Sequence, residues 1–427
     1  MSNGTVIVAF SGGLDTSFCV VDLAEQGWRV LTATVNTGGF DGSDLERIAA
    51  RSAELGAAEH VVVDMRRRLY DEFVSYVLKA NYLRNGLYPS CVGVERMIQA
   101  EAVTLLALER QATAICHGST GAGNDHVRFD AVIRALAPRL EILAPIRDHR
   151  QTRDDEAAFL RKRGFEVSEK VEKYSVNQGM LGTTIGGEET YGSWDYLPEG
   201  AWPWTSSPDS APDGGIELVV GFEQGLPVGL AVAEASGTTE AVEPVEASPE
   251  EGETGEGYAI LLHLNRLGAR HGVGRGIHLG QTIMGISARV AFEAPGMIAL
   301  ITAHKELERL VLSNRQQSIK ATLGQVFGDL LHEAIYYDPV LDDLRALLDS
   351  SQRHVSGEVR LKLHKGAAYC LGARSQHSLL DSTRRLGATY GYGSGLWSGE
   401  DAKSFARIYA TAGLVARQAA EGPQEPG

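Results

Sequence analysis

Ala9-Phe10-Ser11-Gly12-Gly13-Leu14-Asp15-Thr16-Ser17 closes an apolar run, Thr5 to Phe10, and precedes a run with helical spacing, Phe18 to Gln26. Strand, glycine-rich turn and helix in that order form a phosphate-binding geometry. The first N–H groups of a helix lack intrahelical partners and carry partial positive charge, and both favour an anion. Gly12 and Gly13 permit positive φ and close approach of backbone to a ligand. Ser11, Thr16 and Ser17 add hydroxyl donors where phosphate oxygens would sit, and any of them could equally cap the helix. The loop G-x-x-x-x-G-K-[ST] is excluded, because it needs a lysine on the outer phosphates and this stretch has none.

Outward from this loop the first third alternates strand and helix. Trp28 to Asn36, His60 to Asp64, Thr113 to His117 and Leu140 to Ala144 read as strands; Arg66 to Lys79 and Gly93 to Gln111 read as helices. Ser43-Asp44-Leu45-Glu46 reads as a capping box opening a further helix, with Leu45, Ile48, Ala49 and Ala53 on one face and a stop at Gly56. Short apolar strands between amphipathic helices imply a parallel sheet covered on both faces, with ligands bound beyond the carboxyl ends of its strands. At that edge comes a second motif, His117-Gly118-Ser119-Thr120-Gly121-Ala122-Gly123-Asn124-Asp125-His126-Val127-Arg128-Phe129. Its glycines bring backbone near a ligand, and Thr120, Asn124, Asp125 and Arg128 supply mixed polar chemistry.

Composition narrows the function classes. A chain of 427 residues predicts two or three domains, and 43% hydrophobic with 22% charged residues is ordinary for a globular protein. No apolar stretch approaches the roughly 18 residues of a membrane span, and the N-terminus has no basic leader; a cytoplasmic location is expected. A net charge of −15 disfavours a nucleic-acid backbone as the main partner. The four cysteines, Cys19, Cys91, Cys116 and Cys370, show no C-x-x-C spacing, which argues against a zinc site or a disulfide scaffold. His304, His332 and His364 sit at no metal-ligand spacing and read as packing or surface residues.

The S-G-G-x-D-[ST]-S stretch resembles the pyrophosphate loop of the N-type ATP pyrophosphatases. With the second motif it is similar to the argininosuccinate synthase family, whose pattern is S-G-G-L-D-T-S followed by H-G-x-T-G-K-G-N-D-Q-V-R-F. The resemblance runs on through Tyr174-Ser175, Gly225 to Val228, Arg270 to Arg275, Glu293-Ala294-Pro295, Ile301 to His304, and Gly357 to Gly366. It implies an α/β fold: a parallel-sheet nucleotide-binding domain of the ATP pyrophosphatase type, then an α+β synthetase domain and a C-terminal helix. The expected bounds are 1–168, 169–399 with an acidic insertion at 234–257, and 400–421, with a disordered tail 422–427.

The resemblance also implies an AMP-forming ligase, in which ATP activates the ureido oxygen of citrulline and the amino group of L-aspartate displaces AMP. ATP, assisted by Mg²⁺, would lie against Ala9, Ser11, Gly12, Gly13, Asp15, Thr16, Ser17, Val35 and Gly118. Thr120, Asn124 and Asp125 would hold aspartate. Tyr88, Arg96, Asn124, Arg128, Ser175 and Thr184 would face the acceptor. Asp15, Asn124 and Asp125 are the expected catalytic residues, and no metal ligand set is assigned. The C-terminal helix, 401–420, would reach neighbouring subunits of a homotetramer.

The departures from the family pattern gather at the acceptor. The family's V-E-N-R is Leu279-Gly280-Gln281-Thr282 here, so a glutamate that contacts the amino-acid end of citrulline is Gly280. A contact tyrosine is Phe292, a contact serine is Gly93 within Val92-Gly93-Val94-Glu95-Arg96, and a serine is Thr184. The lysine of G-K-G-N-D is Ala122, and D-x-N is Asn177-Gln178-Gly179. Two readings stay open: an acceptor other than citrulline, or citrulline with compensation from elsewhere, such as Glu95.

Overall fold

The computed structural model describes residues 3–167, 174–232, 256–387 and 397–422. Most of the acidic insertion and of the tail lies outside the described residues. Residues 1–376 form one compact unit and 377–427 a second.

The first strands show why the sheet forms. β1 (Thr5–Ala9) and β2 (Arg29–Asn36) are runs of β-branched and small apolar residues, suited to burial on both faces. They pair in parallel, Val6 opposite Val30 and Val8 opposite Thr32. With β3 (Glu59–Asp64), β4 (Ala114–His117) and β5 (Glu141–Leu143) they make an all-parallel sheet of order β3-β2-β1-β4-β5. Alternation along β1 divides its side chains between two layers. Val6 and Val8 pack with Phe18, Cys19 and Val20 of α1 (Leu14–Glu25), whereas Ile7 joins the larger core with Met97 and Ile98. The chain leaves β1 towards β2 on one side and returns as β4 on the other. The loops after β1 and β4 therefore meet at the point where the sheet reverses direction, the usual ligand crevice of such sheets.

One local expectation is corrected. α2 (Gly42–Glu54) is capped by Asp41, whose carboxylate accepts from the Asp44 N–H at 2.9 Å, while Asp44 reaches back to the Asp41 N–H. Ser43 only donates its hydroxyl to Asp41. Moving the cap two residues rotates the buried face to Ile48, Ser52 and Leu55, and Ala53 is exposed.

Beyond the parallel sheet two antiparallel sheets follow. One has the order β10-β11-β7-β6, from β6 (Tyr174–Gly179), β7 (Gly182–Gly187), β10 (Arg275–Gln281) and β11 (Ser287–Glu293). The other has the order β13-β12-β8-β9, from β8 (Ile216–Glu223), β9 (Leu226–Val232), β12 (Gly357–His364) and β13 (Ala367–Arg374). The remaining long helices are α3 (Gly93–Glu109), α4 (Asp125–Leu136), α5 (Arg153–Lys162), α6 (Glu256–Arg270), α7 (Pro295–Val311), α8 (Asn314–His332) and α9 (Val340–Gln352). A buried polar cluster ties three of these helices together. The Glu308 carboxylate of α7 accepts from Lys320 of α8 at 2.8 Å, from Gln352 of α9 at 2.7 Å and from Asn81 at 2.6 Å. That anchors the N-terminal half of α8, the helix that ends at His332. In the second unit α10 (Gly399–Glu421) opens with a Ser398/Asp401 capping box.

Candidate active site

The phosphate loop is left open for a ligand by its own geometry. Gly13 caps α1 without any side-chain hydrogen bond, so the helix's first N–H groups are not taken by a capping side chain. Gly12 adopts φ +76° against Ile48, a conformation that suits glycine. Thr16 donates its hydroxyl to the Gly13 carbonyl at 3.3 Å and lies 3.4 Å from the Ser11 hydroxyl. The loop after β4 closes tightly on this one. A Cβ on Gly118 would come within 3.2 Å of Thr16 and 3.3 Å of Asp15.

A single cavity of about 860 Å³ joins these loops to the antiparallel hairpin β10–β11. Ala9, Ser11, Asp15, Thr16, Val35 and Gly118 line the end formed by the two glycine-rich loops. Gly12 and Gly13 contribute loop backbone rather than lining, and Ser17 is buried beneath the helix start, 1% exposed. Thr120, Asn124 and Asp125 follow, and then Tyr88, Arg96, Arg128, Ser175 and Thr184. The structure thus gathers every expected site residue into one place except Gly12, Gly13 and Ser17, which shape the loop.

Asp125 is the electrostatic centre. Its Oδ2 accepts from Arg96 Nε at 2.9 Å and its Oδ1 from Arg128 Nη1 at 3.0 Å. Burial would raise its pKa, but the two guanidiniums prevail and hold it below the ordinary carboxylate value. Arg96 also donates to Gln99 at 2.9 Å and to Asn177 at 2.7 Å, which ties α3 to β6. Arg128 donates from Nε to the His332 carbonyl at 3.2 Å and lies 3.3 Å from His332 Nδ1. Asn124 accepts the Ile283 N–H at 2.8 Å, so the tip of the β10–β11 hairpin is anchored on the second motif. His117 accepts from the Ser119 N–H through Nδ1 at 3.3 Å, so its Nε2–H points to Asp130, 3.1 Å away. That bond fixes the start of the second loop.

Asp15 has a buried neighbour. Glu156, at the first turn of α5, is 1% exposed, and burial followed by the nearby Asp15 pushes its pKa up to about 8. Asp15, not Glu156, is the member of this pair that lines the cavity. Among the described residues no group of three or more His, Cys, Asp or Glu could hold a metal ion unaided.

Several lining residues escaped the sequence reading. His332, expected to be a packing or surface residue, borders the cavity beside Arg128, and His278 borders it from β10. The signal for His278 was present: it stands two residues before Gly280, hence on the same face of a strand, and a strand glycine marks close approach. A Cβ on Gly280 would come within 2.5 Å of His278 Nε2. The imidazole also stacks on Tyr88, ring centroids 5.2 Å apart. Gly93 similarly makes room for Arg128, whose Nη2 would be 3.0 Å from a Cβ there. Phe292 is fully buried against Tyr88 and does not reach the cavity. Glu95 does not reach it either. It is 0% exposed, accepts from the Thr37 hydroxyl at 3.1 Å and occupies the space that a side chain at Gly179 would take. Glu95 is therefore not placed to compensate at the acceptor.

Comparison with known proteins gives a consistent result along the chain. Residues 5–166 match the model of the arginosuccinate synthase N-terminal HUP domain, and residues 174–414 that of the arginosuccinate synthase C-terminal domain. The argininosuccinate synthase of Xanthomonas campestris pv. campestris is 38% identical over 413 residues, 96% of this chain and 97% of that protein. That of Xylella fastidiosa is 37% identical over 413 residues, 96% of each chain. That of Hyperthermus butylicus is 34% identical over 417 residues, 97% of this chain and 98% of that protein. No described helix is long and apolar enough to cross a membrane. With both domains matched and identity spread over nearly the whole length, the chain belongs to the argininosuccinate synthase family of AMP-forming carbon–nitrogen ligases.

Proposed function

We propose that the chain condenses the amino group of L-aspartate with a ureido-type carbonyl, using ATP and releasing AMP and pyrophosphate. The observation that carries this reading is the continuity of one cavity from the phosphate loop, past the Arg96–Asp125–Arg128 cluster, to the hydroxyl- and imidazole-lined hairpin. ATP phosphates sit on the N–H groups at the start of α1, with the hydroxyls of Ser11 and Thr16 beside them. Asp15 is the carboxylate at that end, and with the nucleotide phosphates it fits an Mg²⁺ site of the kind that needs few protein ligands. The ion supplies neutralisation of phosphate charge.

In the first step the ureido oxygen attacks the α-phosphorus and pyrophosphate leaves with the bonding electrons. In the second the aspartate amine attacks the ureido carbon, AMP leaves with that oxygen, and the amine loses a proton. Thr120, Asn124 and Asp125 orient aspartate, while Arg96 and Arg128 keep Asp125 ionised and in place. Tyr88, Ser175 and Thr184 border the acceptor. Positioning of two aligned reactants contributes roughly 7–11 kcal/mol to such a reaction, so rigid placement is the main demand on the protein.

The same reading includes a cytoplasmic location, a nucleotide-binding domain over 1–168 with a synthetase domain over 169–399, and a homotetramer. The apolar stripe of α10, with Phe405, Ile408, Tyr409 and Val415 exposed, supports assembly through that helix. The test of function is product analysis with ATP, aspartate and a ureide. AMP and pyrophosphate in equal amounts, dependent on aspartate and ureide, support the reading; ADP and phosphate, or products formed without aspartate, contradict it.

A further inference from the structure

Three carboxylates line the cavity among the described residues: Asp15, Asp44 and Asp125. Asp15 belongs to the phosphate loop. Asp44 is held by Arg47 at 2.6 Å and by the Asp41 N–H. Asp125 is held between Arg96 and Arg128. None is available at the hairpin end, and Glu95 is walled off behind Thr37. That end offers Tyr88, Thr184, Thr282, His278 and His332, together with the Arg128 guanidinium. Both imidazoles are neutral near pH 7. Burial first, then Arg84 for His278 and Arg128 for His332, hold them below the ordinary histidine value. Each has one buried nitrogen without a partner among the described residues, Nδ1 of His278 and Nε2 of His332. A buried ammonium placed here would meet the Arg128 guanidinium and neutral rings, while the neighbouring carboxylate, Asp125, is already engaged by Arg96 and Arg128, which is unfavourable.

We propose that His278, packed over Gly280, makes this an acceptor site for ureides that carry no free ammonium group at the end remote from the reacting carbonyl. This rests on the ligase reading above and names the substrate class for it. The bond changes are those already written, since the ureido group is unchanged; only the far end of the acceptor differs. Such an acceptor could owe its missing charge to an absent amine or to an acylated one, and His278 and Tyr88 accommodate either as a neutral, hydrogen-bonding or flat group.

The experiment uses the full chain with Mg-ATP and aspartate and three probes: citrulline, Nα-acetylcitrulline and 5-ureidopentanoate. The readout is kcat/KM for pyrophosphate release. At least one ammonium-free ureide should exceed citrulline by about 30-fold or more, the lower range expected when a buried charge lacks its partner. Acetylcitrulline in the lead would identify acylation, and 5-ureidopentanoate in the lead an absent amine. Citrulline equal to or better than both overturns the inference and leaves the ligase reading intact. No aspartate-dependent release with any of the three overturns the ligase reading and the inference with it. The double variant His278→Ala/Gly280→Glu should move the ratio towards citrulline by at least about 10-fold, and an unchanged ratio removes His278 as the selecting residue.

Discussion

The two ends of the cavity are built by opposite means. The nucleotide end uses backbone: glycines that let loops touch, a helix start left uncapped, and Gly118 packed against Asp15 and Thr16. The hairpin end uses side chains: Arg128 fills the space beside Gly93, and His278 fills the space beside Gly280. Backbone recognition tolerates substitution only where a loop can shift, whereas a side-chain surface is reset by exchanging two or three residues. One fold can therefore hold its phosphate chemistry constant while the acceptor changes.

Breaking the junction between the two ends should have the largest effect. Asp125→Ala takes the shared carboxylate from the buried Arg128 and the partly buried Arg96, and removal of one partner from such a cluster costs about 2–5 kcal/mol. The expected loss in kcat/KM is about 30- to several-thousand-fold, read by pyrophosphate release; a loss under threefold would deny the cluster its central place. Gly118→Ala probes the backbone end alone. Its Cβ would press on Thr16 and Asp15 at 3.2–3.3 Å, and about a tenfold rise in KM for ATP is expected, worth about 1.4 kcal/mol, with the acceptor KM little changed. Equal rises in both constants would mean that the two ends are not separable. Thr184→Val probes the other end. Loss of one hydrogen bond of about 0.5–1.5 kcal/mol predicts about a 2- to 12-fold rise in acceptor KM, and a change confined to ATP would contradict the placement.

The smallest effect concerns stability. Burial, opposed by Arg96 and the Thr37 hydroxyl, raises the Glu95 carboxyl from 4.5 to about 8. The folded protein therefore binds this proton across that window and the unfolded chain does not. Stability contributed by Glu95 is full below pH 4.5 and is lost as pH rises towards 8. Glu95→Gln should flatten the fall in melting temperature between pH 5.5 and 8.5 and leave turnover near wild type. An unchanged slope would refute the assignment.

The parallel sheet was legible because strands buried on both faces read as unbroken apolar runs, and the loops after β1 and β4 because their glycines each fall within one short stretch of sequence. The α2 cap was not, because Asp41/Asp44 and Ser43/Glu46 both satisfy the same pattern and only the length of the turn after β2 chooses between them. His278 and His332 were missed for a different reason. The face of β10 towards the cavity depends on pairing with β11, and His332 reaches the cavity through a long-range contact with Arg128, 204 residues away in sequence. Glu95 stands in sequence within the altered stretch 92–96, beside an arginine expected at the acceptor, which makes it a candidate partner there. One turn of helix geometry points it instead at Thr37.

In this enzyme one continuous cavity would carry an adenylated ureide to the amine of aspartate. The most direct measurement is transfer of ¹⁸O from the ureido group of whichever probe turns over best. AMP carrying one ¹⁸O per product formed, with unlabelled pyrophosphate, is the predicted result. Unlabelled AMP, or label released to water, would contradict it.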